Sequence, residues 1–155
     1  MGIVLTRPVS ENRQGFTLVE LVIVLLIVAI GAAIAAPALD RAVKKREARQ
    51  SVLALAAVAR DLRRRAIDEG KLKKLTVEAP TNSYLPSDRD IIHLPETIAI
   101  TGVTGGEPIG QRLRQFTFFP NGSLVGGEIE LSDRRGSAYV VRMEAMVGRI
   151  VVIRQ

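Results

Sequence analysis

Residues 16–36 read FTLVELVIVLLIVAIGAAIAA, an apolar run of 21 residues in which Glu20 is the only charge. As an α-helix this run would be roughly 31 Å long at 1.5 Å per residue, which equals the thickness of a bilayer's hydrocarbon core. A helix in a protein core rarely stays apolar on every side over such a length, because one face usually meets water. The run therefore predicts a segment that spans a membrane.

A cleaved secretory signal peptide is the alternative, and Ala33-Ile34-Ala35 fits the small-residue pattern of its cleavage site. The hydrophobic region of a signal peptide, however, usually has about 7–15 residues, fewer than this run. Glu20 also argues against it, since a carboxylate at the bilayer centre costs about 2.5–3.5 kcal/mol. No residue of the helix can pair with Glu20, so we expect its partner to come from another molecule.

Residues 13–20 read RQGFTLVE, and the apolar run continues directly from them. This stretch resembles the processing signal of type IV pilins and of the pseudopilins of type II secretion systems. The resemblance implies that a prepilin peptidase cleaves between Gly15 and Phe16 and methylates the new amine of Phe16. It also implies that Glu20 faces the N-terminal amine of a neighbouring subunit in a filament. A buried charge that is neutralised only on assembly would set the register between subunits.

The charges on either side of the apolar run bear on its orientation. Arg7 and Arg13 precede the run, whereas five basic residues follow it within residues 41–49. By the positive-inside rule this asymmetry favours a cytoplasmic C-terminal part. The resemblance implies the opposite, a single-pass protein of the inner membrane with a cytoplasmic leader and a periplasmic C-terminal domain. We follow the resemblance, because the processing signal must meet the peptidase on the cytoplasmic side.

A helical pattern resumes after Pro37, which lacks an amide donor and predicts a kink rather than an end. Gly70 predicts the end of the helix, because glycine readily adopts the left-handed conformation there. The chain then divides into a leader (1–15), a membrane and assembly helix (16–37), a periplasmic half of the same helix (38–70) and a sheet domain (71–155). One apolar stripe with helical spacing follows Pro37: Val52, Leu55, Ala56, Ala59, Leu62 and Ala66.

Short segments rich in Val, Ile, Phe and Thr follow residue 70 and predict an antiparallel sheet, so that the fold class is α+β. Asn121-Gly122 predicts a hairpin turn between the third and fourth of these segments, since both residues tolerate positive φ. A second hairpin is expected around Gly148, and the stretch from Pro80 to Asp90 is expected to be a loop. The predicted strands are 72–78, 97–103, 114–119, 124–131, 138–144 and 149–154.

The composition restricts the chemistry that the 155 residues can perform. The chain has no Cys, no Trp and one His, which excludes disulfide scaffolds, thiol catalysis and a site with several histidines in one chain. The single residue His93 has no evident nucleophile and third group with which to form a triad. We therefore expect a protein that is not an enzyme and has no catalytic, cofactor or metal site.

Residues 118–131 and the pair Gly148-Arg149 resemble the C-terminal half of the general secretion pathway protein H family, the minor pseudopilins of type II secretion. A related group, the FimT-like minor pilins of type IV pili, binds DNA during natural transformation through a Gly-Arg-x-Arg stretch. Here Val151 stands in place of the second arginine. The resemblance therefore implies a minor pseudopilin, with a FimT-like DNA-binding pilin as the alternative.

The net charge of +6 bears on that alternative. Residues 38–75 carry 12 basic and 5 acidic side chains, a net charge of +7, whereas the rest of the sheet domain is close to neutral. The cations can contact DNA phosphates or form a solvated helix face near anionic lipid. No aromatic residues lie among them to stack on bases, which favours the solvated face. The candidate DNA contacts are Arg63, Arg64, Arg65, Lys73, Lys74 and Arg149.

The expected partners follow from the resemblance. They are prepilin peptidase, other major and minor pseudopilins in a filament, and the lipid of the inner membrane. DNA remains the partner of the alternative reading.

Overall fold

The computed structural model describes residues 17–134 and 136–155, except for the side chains of 36–42, 44 and 45. Gly15 and Phe16, the predicted cleavage and methylation residues, lie outside the described residues. The chain divides into two units, Met1–Asp40 and Arg41–Gln155.

A helix, α1, extends over Leu18–Glu69 and continues through Pro37. Thr17 precedes its first turn, and the Thr17 hydroxyl accepts a hydrogen bond of 3.2 Å from the Glu20 amide. Together with Glu20 three positions later this forms the sequence pattern of a capping box, and an acidic residue in the first turn also suits the helix dipole. Within the first unit, every residue from 17 to 35 is exposed. Residues 18–35 are long and apolar enough to cross a membrane.

In the second unit the predicted stripe of α1 is confirmed. All six of its residues, together with Ala48, are at most 1% exposed. Four of these seven residues are alanines, so small side chains make up most of the buried face of the helix. The helix ends as predicted, because Gly70 adopts a φ of 64° and so reverses the chain after Glu69.

In the part of the chain that the structure describes, nine antiparallel strands follow and form two sheets. In chain order they are β1 (Lys73–Glu78), β2 (Ser83–Pro86), β3 (Ile92–His93), β4 (Ile98–Gly105), β5 (Glu107–Ile109), β6 (Leu113–Phe118), β7 (Gly127–Asp133), β8 (Ala138–Glu144) and β9 (Arg149–Arg154). The first sheet has the order β3-β2-β1-β6-β5 and the second has the order β4-β7-β8-β9. Side chains from both sheets and from the stripe of α1 form one hydrophobic core. The α+β class is confirmed.

The predicted hairpin at Asn121-Gly122 is only partly correct. The turn is present, since Gly122 has a φ of 84° and its amide donates to the Phe119 carbonyl at 2.9 Å. Beyond a single bridge between Phe118 and Leu124, however, the chain leaves the first sheet. It enters the second at Gly127, where a Cβ would collide with the Thr104 carbonyl and the Phe116 ring. This close crossing requires glycine, and it divides the expected single sheet into two.

The prediction of a loop from Pro80 to Asp90 is wrong at Ser83–Pro86, which forms β2 beside β1. The short strands β3 and β5 also have no counterpart among the predicted strands, and the predicted strand 124–131 begins at Gly127. The other predicted strands are present within two residues at each end, and β8 and β9 form the expected second hairpin.

Asn82 connects the two sheets. It occupies the turn between β1 and β2 with a φ of 51°, a conformation that Asn tolerates better than other residues with a Cβ. Its side-chain Nδ2 donates to the Ile98 carbonyl at 2.8 Å, and its Oδ1 accepts from the Ile100 amide at 2.9 Å. One side chain thus occupies the free edge of β4 as a neighbouring strand would.

Candidate functional site

Glu20 is the first candidate functional residue that the structure describes. It lies in the first turn of α1, and its side chain is exposed among exposed apolar residues. Within residues 17–134 and 136–155 it forms no ion pair. At this end of the helix the backbone amide of Glu20, not its carboxylate, makes the capping contact, which is a hydrogen bond to the Thr17 hydroxyl. The carboxylate itself is therefore available to a group outside this part of the chain.

The apolar segment 18–35 also lacks a partner within the described residues. Its large side chains are between 47% and 78% exposed, including Leu18, Val24 and Ile34. At Gly31 an added Cβ would meet nothing within 4 Å, so no contact inside the chain explains this glycine. Small residues let membrane helices approach closely, and Gly31 lies among the alanines of this segment. The arrangement can therefore pack against lipid or against other helices.

The six candidate DNA contacts do not form one free basic surface. Arg63 lies against two turns of the second unit, where its Nε donates to the Gly122 carbonyl at 2.8 Å and its Nη2 to the Val147 carbonyl at 3.4 Å. Lys73 is 2.7 Å from the carboxylate of Glu69. Only Lys74 and Arg149, among the described members of the set, have side chains without an ion pair or hydrogen bond.

The other two arginines belong to a network around Asp61. Arg64 binds Asp61 at 2.7 Å and Asp68 at 3.1 Å, while Arg65 binds Asp61 at 2.9 Å. Arg89, in the segment after β2, also reaches Asp61, at 2.8 Å. In the same segment Asp88 lies 2.8 Å from Arg65. The network thus balances three arginines with three aspartates, and it joins α1 to residues 87–90.

The hydrogen bond from Arg64 holds the pKa of Asp61 below its ordinary value, against the opposing effect of burial. The charges of Arg65, Arg64 and Arg89 lower this pKa further. A folded-state pKa below the unfolded one means that Asp61 stabilises the protein above the unfolded pKa of about 3.9. This contribution is lost as the pH falls through the lower folded value.

We expect Asp61→Asn to lower the free energy of unfolding by about 1 kcal/mol at neutral pH, since the pairs are partly exposed and screened. The difference from the wild type should shrink as the pH falls below about 4, where the wild-type carboxylate also becomes protonated. Urea unfolding followed by circular dichroism at several pH values measures it. Glu107→Gln, on β5 and outside the network, is the control. A difference that stays constant from pH 7 to pH 3 would contradict the role of this carboxylate.

The sequence indicates which arginines of α1 pair with carboxylates on the same helix and which bind backbone carbonyls elsewhere. Asp61 and Asp68 lie three or four positions from Arg64, the spacing of pairs on one helix face. Arg60 and Arg63 have no acidic residue at such a spacing, so each had to find an acceptor elsewhere. Arg60 donates through Nε and Nη2 to the Ile150 carbonyl, at 3.3 and 3.1 Å. Sequence reasoning missed Arg60 and Asn82, whose partners are distant in the chain.

Comparison with known proteins adds two findings. Residues 11–36 match the family model described as the prokaryotic N-terminal methylation motif. The structure is similar to that of the minor pseudopilin EpsH from the type 2 secretion system of Vibrio cholerae, with a TM-score of 0.56 and 14% sequence identity. The similarity covers 70% of this chain and 97% of that one. No curated protein matches the sequence significantly. The chain thus has a prepilin-type methylation motif and a pilin-like α+β fold.

Proposed function

We propose that this protein is a minor pseudopilin, a structural subunit of the periplasmic pseudopilus of a type II protein secretion system. The observation that carries the proposal is the exposed apolar helix 18–35 with one carboxylate in its first turn. This helix lies within the methylation motif and is continuous with a fold similar to that of a pseudopilin. Such a subunit acts by assembly and needs no catalytic group.

In this proposal prepilin peptidase cleaves between Gly15 and Phe16 and methylates Phe16, as in proteins with this motif. Helix 18–35 then leaves the lipid and packs against the corresponding helices of other pseudopilins. The segment around Gly31 allows close approach of a neighbouring helix. The leader lies in the cytoplasm and the second unit in the periplasm, an orientation that the basic residues of 41–49 do not favour.

Processing gives the direct test. Intact mass of the membrane-extracted full chain should show a product that begins at N-methylated Phe16, and only in cells that contain the peptidase. Cells without the peptidase should contain only the full-length chain. Gly15→Val is the matched variant and should remain uncleaved in both strains. Cleavage near Ala35, or an uncut wild-type chain in both strains, would contradict the proposal.

A FimT-like minor pilin that binds DNA is the second candidate function. The net charge of +7 over residues 38–75 favours it, and so do the side chains of Lys74 and Arg149, which have no partner among the described residues. The occupied side chains of Arg63, Arg64, Arg65 and Lys73 oppose it, because phosphate contacts would have to displace carbonyl or carboxylate partners. Binding of duplex DNA that weakens steeply with salt would favour this second function.

A further inference from the structure

A groove lies between the second-unit part of α1 and strand β9. Its lining residues are Arg49, Val52 and Leu53 from the helix and Tyr139, Val152 and Arg154 from the second sheet. The groove, which we call the α1–β9 groove, has a volume of about 420 Å³. Its floor is apolar, since Val52 and Tyr139 are nearly buried beneath it. A space of this size accepts one or two side chains of a bound segment.

Strand β9 forms an edge of the second sheet and pairs only with β8. Alternate residues of an edge strand direct their amide and carbonyl groups away from the sheet. The Gln155 amide donates inward to the Ala138 carbonyl, whereas the Ile150 carbonyl accepts from Arg60 on the other side. This alternation places the backbone groups of Ile150, Val152 and Arg154 on the outer edge.

Arg60 closes one end of this edge, because its guanidinium occupies the Ile150 carbonyl. No comparable contact covers Val152 or Arg154 within the described residues. The other free edge of the second sheet, on β4, is occupied at Ile98 and Ile100 by the side chain of Asn82. The unprotected part of the β9 edge is therefore short, and it coincides with the α1–β9 groove.

The positive charge at the rim of the groove indicates which kind of segment it can bind. Arg49 and Arg154 are exposed at its rim, and neither forms an ion pair with any described residue. No carboxylate lines the groove. A second copy of β9 is a poor occupant, because this strand carries two arginines and no acidic residue. An acidic segment has the complementary charge.

We propose that the α1–β9 groove binds a short, extended, acidic segment of a partner protein, which adds to β9 as a further strand. The backbone of the segment pairs with Val152 and Arg154, as in other cases of strand addition. One of its apolar side chains enters the groove above Tyr139 and Val152, and its carboxylates meet Arg49 and Arg154. This inference rests on the second unit alone and does not depend on the proposed function.

The test uses the full chain in detergent micelles and fluorescence anisotropy of a labelled peptide, Asp-Val-Glu-Leu-Asp-Val. We expect saturable binding that weakens by about tenfold or more for Arg49→Glu and Arg154→Glu, because a repulsive charge replaces an attractive one. Arg112→Glu, an exposed change remote from the groove, should bind like the wild type. Circular dichroism verifies that the variants keep their fold. Equal binding by Arg154→Glu and the wild type, or no binding by the wild type, would overturn the proposal.

Two modified peptides distinguish strand addition from simple attraction of charge. In one, the first, third and fifth amides carry N-methyl groups, and in the other the second, fourth and sixth do. A strand uses only one alternate set of its amides for pairing with a neighbour, so one of the two peptides should lose binding and the other should keep it. Equal binding of the two would show that no strand forms and would overturn the proposal.

Discussion

Asn82→Ala is expected to lower the free energy of unfolding by about 2–4 kcal/mol. Two hydrogen bonds to β4 disappear, and each backbone group left without a partner costs about 1–3 kcal/mol. These groups belong to Ile98 and Ile100, which are 1% and 7% exposed, so water replaces the lost carboxamide poorly. Alanine also tolerates the φ of 51° less well than asparagine does. Urea unfolding followed by circular dichroism measures the loss.

Two further variants separate these contributions. Asn82→Gly removes the hydrogen bonds but relieves the backbone, so it should be less destabilising than alanine by about 1 kcal/mol. Thr81→Ala, in the same turn, removes a hydroxyl contact with Ser83 and leaves β4 untouched, and it should cost about 1 kcal/mol or less. If Asn82→Gly were as stable as the wild type, the bonds to β4 would contribute nothing.

Glu20→Ala is expected to abolish incorporation into the filament while membrane insertion continues. Under the proposed function the carboxylate meets the N-terminal amine of a neighbouring subunit, and without it that amine would be buried unpaired. Breaking a buried pair costs about 3–5 kcal/mol, or more than a hundredfold in an assembly equilibrium. Copurification with the other pseudopilins measures incorporation, and carbonate extraction of membranes measures insertion.

The capping pattern at Thr17 and Glu20 offers a competing explanation, which Glu20→Gln tests. Glutamine keeps the capping-box pattern but has no charge. Under the proposed function Glu20→Gln should fail to assemble as completely as Glu20→Ala, whereas Thr17→Ala should assemble. Normal incorporation of Glu20→Gln would assign the residue to helix capping and not to pairing between subunits.

The helix was predictable from the sequence because its determinants are local. The stripe from Val52 to Ala66 repeats with the helical period, and Gly70 ends the helix through its own backbone preference. The hairpin of β8 and β9 was predictable for the same reason, since Gly148 lies between two runs with high strand propensity.

The division into two sheets was not predictable, because contacts distant in the chain determine it. Gly127 resembles any loop glycine until Thr104 and Phe116 are seen to press against it. Strand β2 was not predicted, because Pro80 and Pro86 enclose a short polar stretch that locally favours a loop. Its pairing with β1 outweighs this preference.

The candidate sites also differ in whether the local sequence could indicate them. The proposed peptidase and assembly residues Gly15, Phe16 and Glu20 form a linear motif, so adjacent residues were sufficient to suggest them. Composition identified the basic residues but could not tell which of them were already engaged by Asp61 or by carbonyl oxygens. The α1–β9 groove combines Arg49 with Arg154, and no property of either sequence neighbourhood indicates the other.

Some arginines of α1 bind carboxylates and others bind backbone carbonyls. This difference implies that acid loosens the second unit in a defined order. Residues 87–90 are attached to α1 in part through the pair of Arg89 with Asp61, a carboxylate that loses its charge on protonation. The turns at Gly122 and Val147 are attached through Arg63 to backbone carbonyls, which do not titrate. Acidification to below about pH 4 should therefore weaken the attachment of residues 87–90 to α1 while the attachments through Arg63 persist, so that partial opening precedes unfolding of the domain.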